Sequence, residues 1–250
     1  MKLRDTLSIF SLILIGAIGS LKAQTVDEVI KAYYDVTGGS NWEKVTGMRM
    51  TANVEQQGMS IPFEITSLKD GRMSMKMTFM GNTMTLAAFD GKTSWTTNWM
   101  TMEPEENPAE DSENARRAIN EFPNPLFNYQ KLGYSATLLE DETVEGTACY
   151  KIKLDKKTEL VEGQEVPNVE YYYIDKENNV VIMMESEINS GEMKGNMSQT
   201  KMSDYQEVNG VYVPFSNSEG LKDGESQTIQ FETVEINPVV DENIFVFPKK

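Results

Sequence analysis

The strongest constraint in this sequence is a period of two, repeated along most of the chain. Over residues 48–55, Met48, Met50, Ala52 and Val54 alternate with Arg49, Thr51, Asn53 and Glu55. Over 61–66, Ile61, Phe63 and Ile65 alternate with Pro62, Glu64 and Thr66. Over 73–79, Met73, Met75, Met77 and Phe79 alternate with Ser74, Lys76 and Thr78. Successive side chains of a strand point to opposite faces, so each segment predicts one apolar and one polar face. Tight-turn pairs separate the segments: Asp70-Gly71, Gly81-Asn82 and Asp90-Gly91. With strands at 83–89 and 93–97, the first half reads as a five-stranded antiparallel meander.

The second half repeats the pattern at 134–141, 147–155, 169–175, 179–188, 195–207, 211–219 and 226–236. Glu145-Gly146, Asn209-Gly210 and Asp223-Gly224 sit at the junctions. Helices are few. Residues 25–37 form one, with Thr25 and Glu28 at capping-box spacing and Val26, Val29, Ile30 and Tyr33 on one face. Gly38-Gly39 stops it, and Trp42 is expected to pack it on the sheet. Residues 103–114, rich in Glu and broken by Pro104 and Pro108, read as an acidic loop. A short helix is expected from about Ser112, with Ala115, Ala118, Ile119 and Phe122 on one face, ended by Pro123 and Pro125. Leu126, Phe127 and Tyr129 make a second short apolar piece. The tail from Asn237 to Pro248 is expected to fold back on the sheet.

A long meander must bury its apolar face by closing, pairing or being covered. The short helices can cover only part of it. The expected fold is therefore α+β and mainly antiparallel β: an incomplete, half-open β-barrel of 11–12 strands covered by short helices. No linker divides residues 24–250, which read as one domain. A sheet of this size under so small a cover leaves a cavity. Its candidate lining is Met48, Met50, Ile61, Phe63, Ile65, Met73, Met75, Met77, Phe79, Trp95, Trp99, Ile119 and Phe122. Ten of the 16 methionines fall between Met48 and Met102. Methionine is unbranched and polarizable, so it suits a surface that receives apolar chains of varied shape. Ordinary core packing explains the same residues and stays open beside it.

Composition narrows the chemistry. The chain has no histidine, one cysteine and a net charge of −16. Without His, the commonest general base and metal ligand are missing. Met-x-Met-x-Met could serve Cu(I), but no His or second Cys supports it. No cofactor or metal is expected. The alternating pattern around Cys149 makes it a strand residue rather than a reactive thiol. No nucleophile elbow or phosphate loop occurs, and no carboxylate pair stands apart from the solvated faces, so an enzyme is not expected. The acidic balance argues against nucleic acid and against anionic membrane surfaces.

The N-terminus carries Lys2 and Arg4, an apolar run from Leu7 to Ile18, and then Gly19, Ser20 and Ala23. That is the plan of a secretory signal peptide, with cleavage after Ala23 and Gly19 as a second option. No cysteine follows the cleavage site, so a soluble, unlipidated periplasmic protein is expected.

In order, Phe89-Asp90-Gly91-Lys92-Thr93-Ser94-Trp95, Tyr171-Tyr172-Tyr173-Ile174-Asp175, Val180-Val181-Ile182 and Tyr205 through Pro214 complete a pattern. With the secretory start and the first helix, it resembles the outer-membrane lipoprotein-sorting family, the LolA-like periplasmic carriers. The resemblance implies an incomplete barrel closed by short helices, and acyl chains of lipid or lipoprotein as cargo. Membrane-anchored donor and acceptor proteins are the implied partners, and a monomer is expected. Family carriers hold the lid helix closed with an arginine, for which Arg49 and Arg72 are candidates by lying on strands. The alternative is a non-enzymatic envelope regulatory or protein-docking module built on the same half-barrel.

Overall fold

The computed structural model describes residues 24–56 and 59–248. The expected export segment lies outside the described residues. Helix α1 (Val26–Val36) starts as its spacing predicts. The Thr25 hydroxyl accepts the Glu28 N–H, and the Glu28 carboxylate accepts the Thr25 N–H at 2.8 Å. Two of the helix's orphan donors are thereby satisfied. The buried Thr37 hydroxyl donates to the Tyr33 carbonyl at its end. Gly38 then turns the chain at a φ of 133°, where a Cβ would lie 2.8 Å from the Gly210 carbonyl oxygen. A 3-10 turn, Gly39–Lys44, leads into the sheet.

The first meander is β1 (Gly47–Gln56), β2 (Met59–Leu68), β3 (Met73–Phe79), β4 (Asn82–Phe89), β5 (Ser94–Thr97) and β6 (Pro104–Glu106). The cover follows: α2 (Ala109–Arg117), 3-10 turns at Ile119–Glu121 and Pro125–Asn128, and α3 (Tyr129–Leu132). The chain continues through β7 (Ser135–Leu138), β8 (Glu142–Val144), β9 (Thr147–Asp155), β10 (Glu159–Val161) and β11 (Gln164–Val166). The long strands β12 (Val169–Asp175), β13 (Val181–Glu187), β14 (Met197–Val208), β15 (Val211–Leu221) and β16 (Ser226–Ile236) complete it.

Fourteen strands form one antiparallel sheet in the order β6-β5-β4-β3-β2-β1-β16-β15-β14-β13-β12-β9-β7, with β8 on β9. The β1–β16 pair joins the two halves at the middle of the sheet. The end strands β6 and β7 do not pair with each other, so the sheet stays open. The mainly antiparallel fold with short helices is the one the sequence predicts. The strand count is higher, because β6, β8, β10 and β11 are three-residue strands too short to show a period. β6 also corrects the acidic loop: Glu105 pairs with Thr96 and Glu106 with Trp95 at the sheet's edge. An edge strand this short and charged resists pairing with other chains. The helix expected from Ser112 starts earlier, at Ala109, and stops at Arg117, with Ile119 in the next turn.

Register defines two faces. On the inner face, Val234, Met50, Ile65, Met75 and Ala87 form one row across neighbouring strands. Ile236, Met48, Ser67, Met73 and Phe89 form the next. Helix α1 and the Pro125–Asn128 turn pack on this face over the second half, where Val29, Ile30, Tyr33 and Leu126 bury against Ile152, Leu154, Tyr172 and Ile174. A second cluster joins Trp42 and Val45 to Val211, Val213, Phe215 and Phe231. The outer face carries Arg49, Thr66, Ser74, Ala88 and Trp95 in register. The C-terminal tail covers it, as expected. Phe245 is fully buried, and the Trp95 indole N–H donates to its carbonyl at 2.9 Å.

Candidate ligand cavity

Between the inner face and the cover lies a cavity of about 250 Å³. Its floor comes from five strands: Met48 and Met50 of β1, Tyr172 of β12, Met184 of β13, Met202 and Tyr205 of β14, and Val213 of β15. Its roof is Tyr33 of α1, Trp42, and Pro123 to Phe127 of the cover. Phe127 is central to that roof. Its ring lies 5.1 Å from those of Tyr33 and Tyr34 and 5.9 Å from Trp42, in tilted and edge-on contacts. Four methionines in one small lining make the wall deformable. Two polar atoms at lining residues, Trp42 Nε1 and Asn217 Oδ1, are buried with no hydrogen-bond partner. Burial pushes the Tyr33 and Tyr205 hydroxyls far above the ordinary phenol range, so both stay neutral.

The cover is pinned by one buried cation. Lys156, with its side chain 8% exposed, reaches Glu121 of the cover at 2.7 Å and Glu170 of β12 at 2.8 Å. The Tyr134 hydroxyl donates to Glu121, and the Tyr172 hydroxyl donates to Glu170. Burial by itself would lower the Lys156 pKa, but the two carboxylates outweigh it and hold the ammonium above its usual range. A second tie is bidentate: Arg117 of α2 forks onto Glu165 of β11 at 2.8 and 2.9 Å. This holds the Glu165 carboxyl down at about 2. At the other end of the cover, Ile119 seats on Gly71, whose φ is +88° and where a Cβ would fall 2.6 Å from Ile119.

The sequence-predicted lining distributes unevenly. Met48 and Met50 line the cavity. Ile65 and Phe122 pack against the same cluster. Phe63, Met73, Met75 and Met77 share the inner face but lie further out, half-buried, toward β4. Ile61 is buried in the Val54 row, and Phe79 is half-buried at the end of β3. Ile119 touches the β2–β3 turn instead. Trp95 sits on the opposite face under the tail, because it is in register with Ala88 rather than Ala87. Trp99 stands in the β5–β6 turn, 62% exposed. Arg49 and Arg72 do not reach the cover. Arg49 binds Glu235 and the Val239 carbonyl, and Arg72 binds Asp70 and Glu242 while lying 5.1 Å over the Phe245 ring. Both hold the C-terminal tail. Sequence reasoning missed Met184, Met202 and Phe127 as lining. It also missed Lys156, since one lysine in a Lys-Lys pair carries no signal of burial.

Among the described residues, no group of three acidic, Cys or His side chains could hold a metal ion. No helix among them is long and apolar enough to cross a membrane.

A LolA superfamily protein from Nitrosomonas europaea superimposes with a TM-score of 0.52 at 13% identity, covering 90% of this chain and 98% of its own. The fold is LolA-like. A DUF1329 family protein from Desulfovibrio piger is similar at a TM-score of 0.50 and 10% identity, covering 90% of this chain and 98% of that one. A family model described only as an uncharacterized protein matches residues 127–247. No curated protein matches the chain significantly. At these identities the likeness establishes the LolA-like fold, and the residues above carry the rest.

Proposed function

We propose that this protein is a non-catalytic periplasmic carrier that holds an acyl chain of a lipid or lipoprotein between its sheet and its cover. The observation that carries this reading is the methionine-rich cavity under a cover tied down by polar contacts. Its volume, about 250 Å³, lies below the roughly 300–1,000 Å³ usual for ligand sites. One chain end fits. A longer chain would continue along the half-buried Met73, Met75 and Met77 face, or lift the cover. Burial of ten methylenes at about 0.8 kcal/mol each gives roughly 8 kcal/mol before ordering costs, a micromolar ceiling suited to cargo that must be handed on. The unpartnered Trp42 N–H favours cargo with a carbonyl near the chain over a bare hydrocarbon.

The test is native mass spectrometry of protein purified from its own envelope, with organic extraction, beside uptake of a fluorescent fatty acid. Bound lipid or acylated peptide, or saturable uptake, is expected. A clean apo mass together with no uptake overturns the reading. A stoichiometric protein partner in its place would favour the docking-module alternative.

A further inference from the structure

Hairpins β1–β2, β3–β4 and β5–β6 of an antiparallel meander end at the same edge of the sheet. All three ends carry exposed apolar side chains. Met80 is 82% exposed at the β3–β4 turn, and Met100 is 94% exposed beside Trp99 and the exposed Met102 in the β5–β6 turn. Met59, first residue of β2, is exposed as well. Every second strand is about 10 Å from the last, so these points form a row roughly 20 Å long.

Turn chemistry does not ask for these residues. Among the described residues, nine other than glycine hold a positive φ, and seven are Asn, Asp or Glu. The other two are Met80 (φ 50°) and Met102 (φ 59°), both on these tips. A left-handed Met is a strained choice where Asn or Gly would serve, and the hairpins at the opposite edge use Asp70-Gly71 and Asp90-Gly91. The β5–β6 turn is also rigid. The Asn98 side-chain oxygen accepts the Met100 and Thr101 N–H groups at 2.8 and 3.2 Å, and the Met102 N–H donates to the Asn98 carbonyl. Those three backbone donors are therefore satisfied before the turn leaves water, which an apolar medium requires.

We propose that the β3–β4 and β5–β6 tips, with Met59 beside them, dock the protein on the surface of an electrically neutral lipid bilayer. Unbranched methionine side chains on separate tips, with polar Ser60, Thr78 and Thr83 between them, suit a fluid apolar phase better than a folded partner's fixed sockets. Trp with Met beside it is suited to the membrane interface. No Lys or Arg lies between Lys76 and Lys92 or between Lys92 and Arg116, while Glu103, Glu105 and Glu106 follow the last tip, so anionic lipid is disfavoured. The inner-face rows Ala52–Phe63–Met77–Met84 and Val54–Ile61 run from the region of the cavity toward the same edge. The proposal goes beyond the carrier reading and stands whatever the cavity holds.

The experiment is flotation of the exported protein, its amino terminus sequenced, with phosphatidylcholine vesicles, while tryptophan emission is followed. Binding with a blue shift quenched by brominated lipid is expected, since Trp42 and Trp95 are already buried. Met80→Asp and Met100→Asp should each weaken partitioning by about tenfold or more with the circular dichroism unchanged, and Trp99→Ser should abolish the blue shift. The proposal is overturned by any of three results: no flotation, flotation equal in the variants, or flotation that needs anionic lipid. A dimer that Met100→Asp dissolves, without vesicle binding, would assign the tips to a second copy and overturn it equally.

Discussion

Replacing Lys156 with Met is the most informative single perturbation of the cover. The substitution keeps the aliphatic stem and removes the ammonium from between Glu121 and Glu170, whose side chains are only 16% and 18% exposed. Two charge-assisted hydrogen bonds are lost, and two buried carboxylates are left facing each other. Removing one partner of a buried ion pair costs about 3–5 kcal/mol, most of it the uncompensated charge that remains. In a chain of this length, roughly 2–4 °C is lost per kcal/mol, so thermal unfolding followed by circular dichroism should show a Tm lower by roughly 6–20 °C. Neutralising the orphans with Glu121→Gln and Glu170→Gln in the same chain should recover much of that loss. Because Glu121 belongs to the cover and Glu170 to the sheet, the single variant should also admit a fluorescent fatty acid faster than wild type. A Lys156→Met protein within about 1 kcal/mol of wild type, with unchanged uptake, would refute the claim that this cation pins the cover.

Further outcomes follow from the same geometry. Glu165 has its carboxyl depressed from 4.5 to about 2 by Arg117, so its contribution is present above about pH 4.5 and is lost as the pH falls toward 2. Wild type should therefore lose stability more steeply over that window than Arg117→Met, measured as urea midpoints against pH. Trp95→Phe leaves the Phe245 carbonyl without its indole donor and should cost about 1–3 kcal/mol, with earlier proteolysis of residues 238–248. Met50→Lys puts a charge into the cavity wall and should weaken fatty-acid uptake at least about tenfold with little change in secondary structure.

What was legible beforehand was local. The alternation of Met48, Met50, Ala52 and Val54, the Asp-Gly turns, and the Thr25–Glu28 capping box each draw on residues within a turn or strand of one another. They determine an antiparallel sheet with one apolar face, and they correctly place α1 and the long strands. Pairing partners are a different matter. That β1 lies beside β16 follows from packing between residues nearly 190 positions apart, and no short-range pattern encodes it. The cavity depends on that pairing, because it brings Met48 and Met50 within reach of Met184 and Met202. Trp95 shows the same limit in reverse. Its strand was legible, but only register across β4 put it on the outer face beneath the tail. Lys156 is the sharpest case: the sequence shows a surface-like lysine, and only tertiary structure surrounds it with two carboxylates and two tyrosines. The long strands, their tight turns and their apolar faces were legible along the chain, since these follow from backbone geometry and side-chain period. Tertiary structure alone decided where the apolar face is roofed, what pins the roof and which tips stand bare, since those depend on distant segments meeting in space.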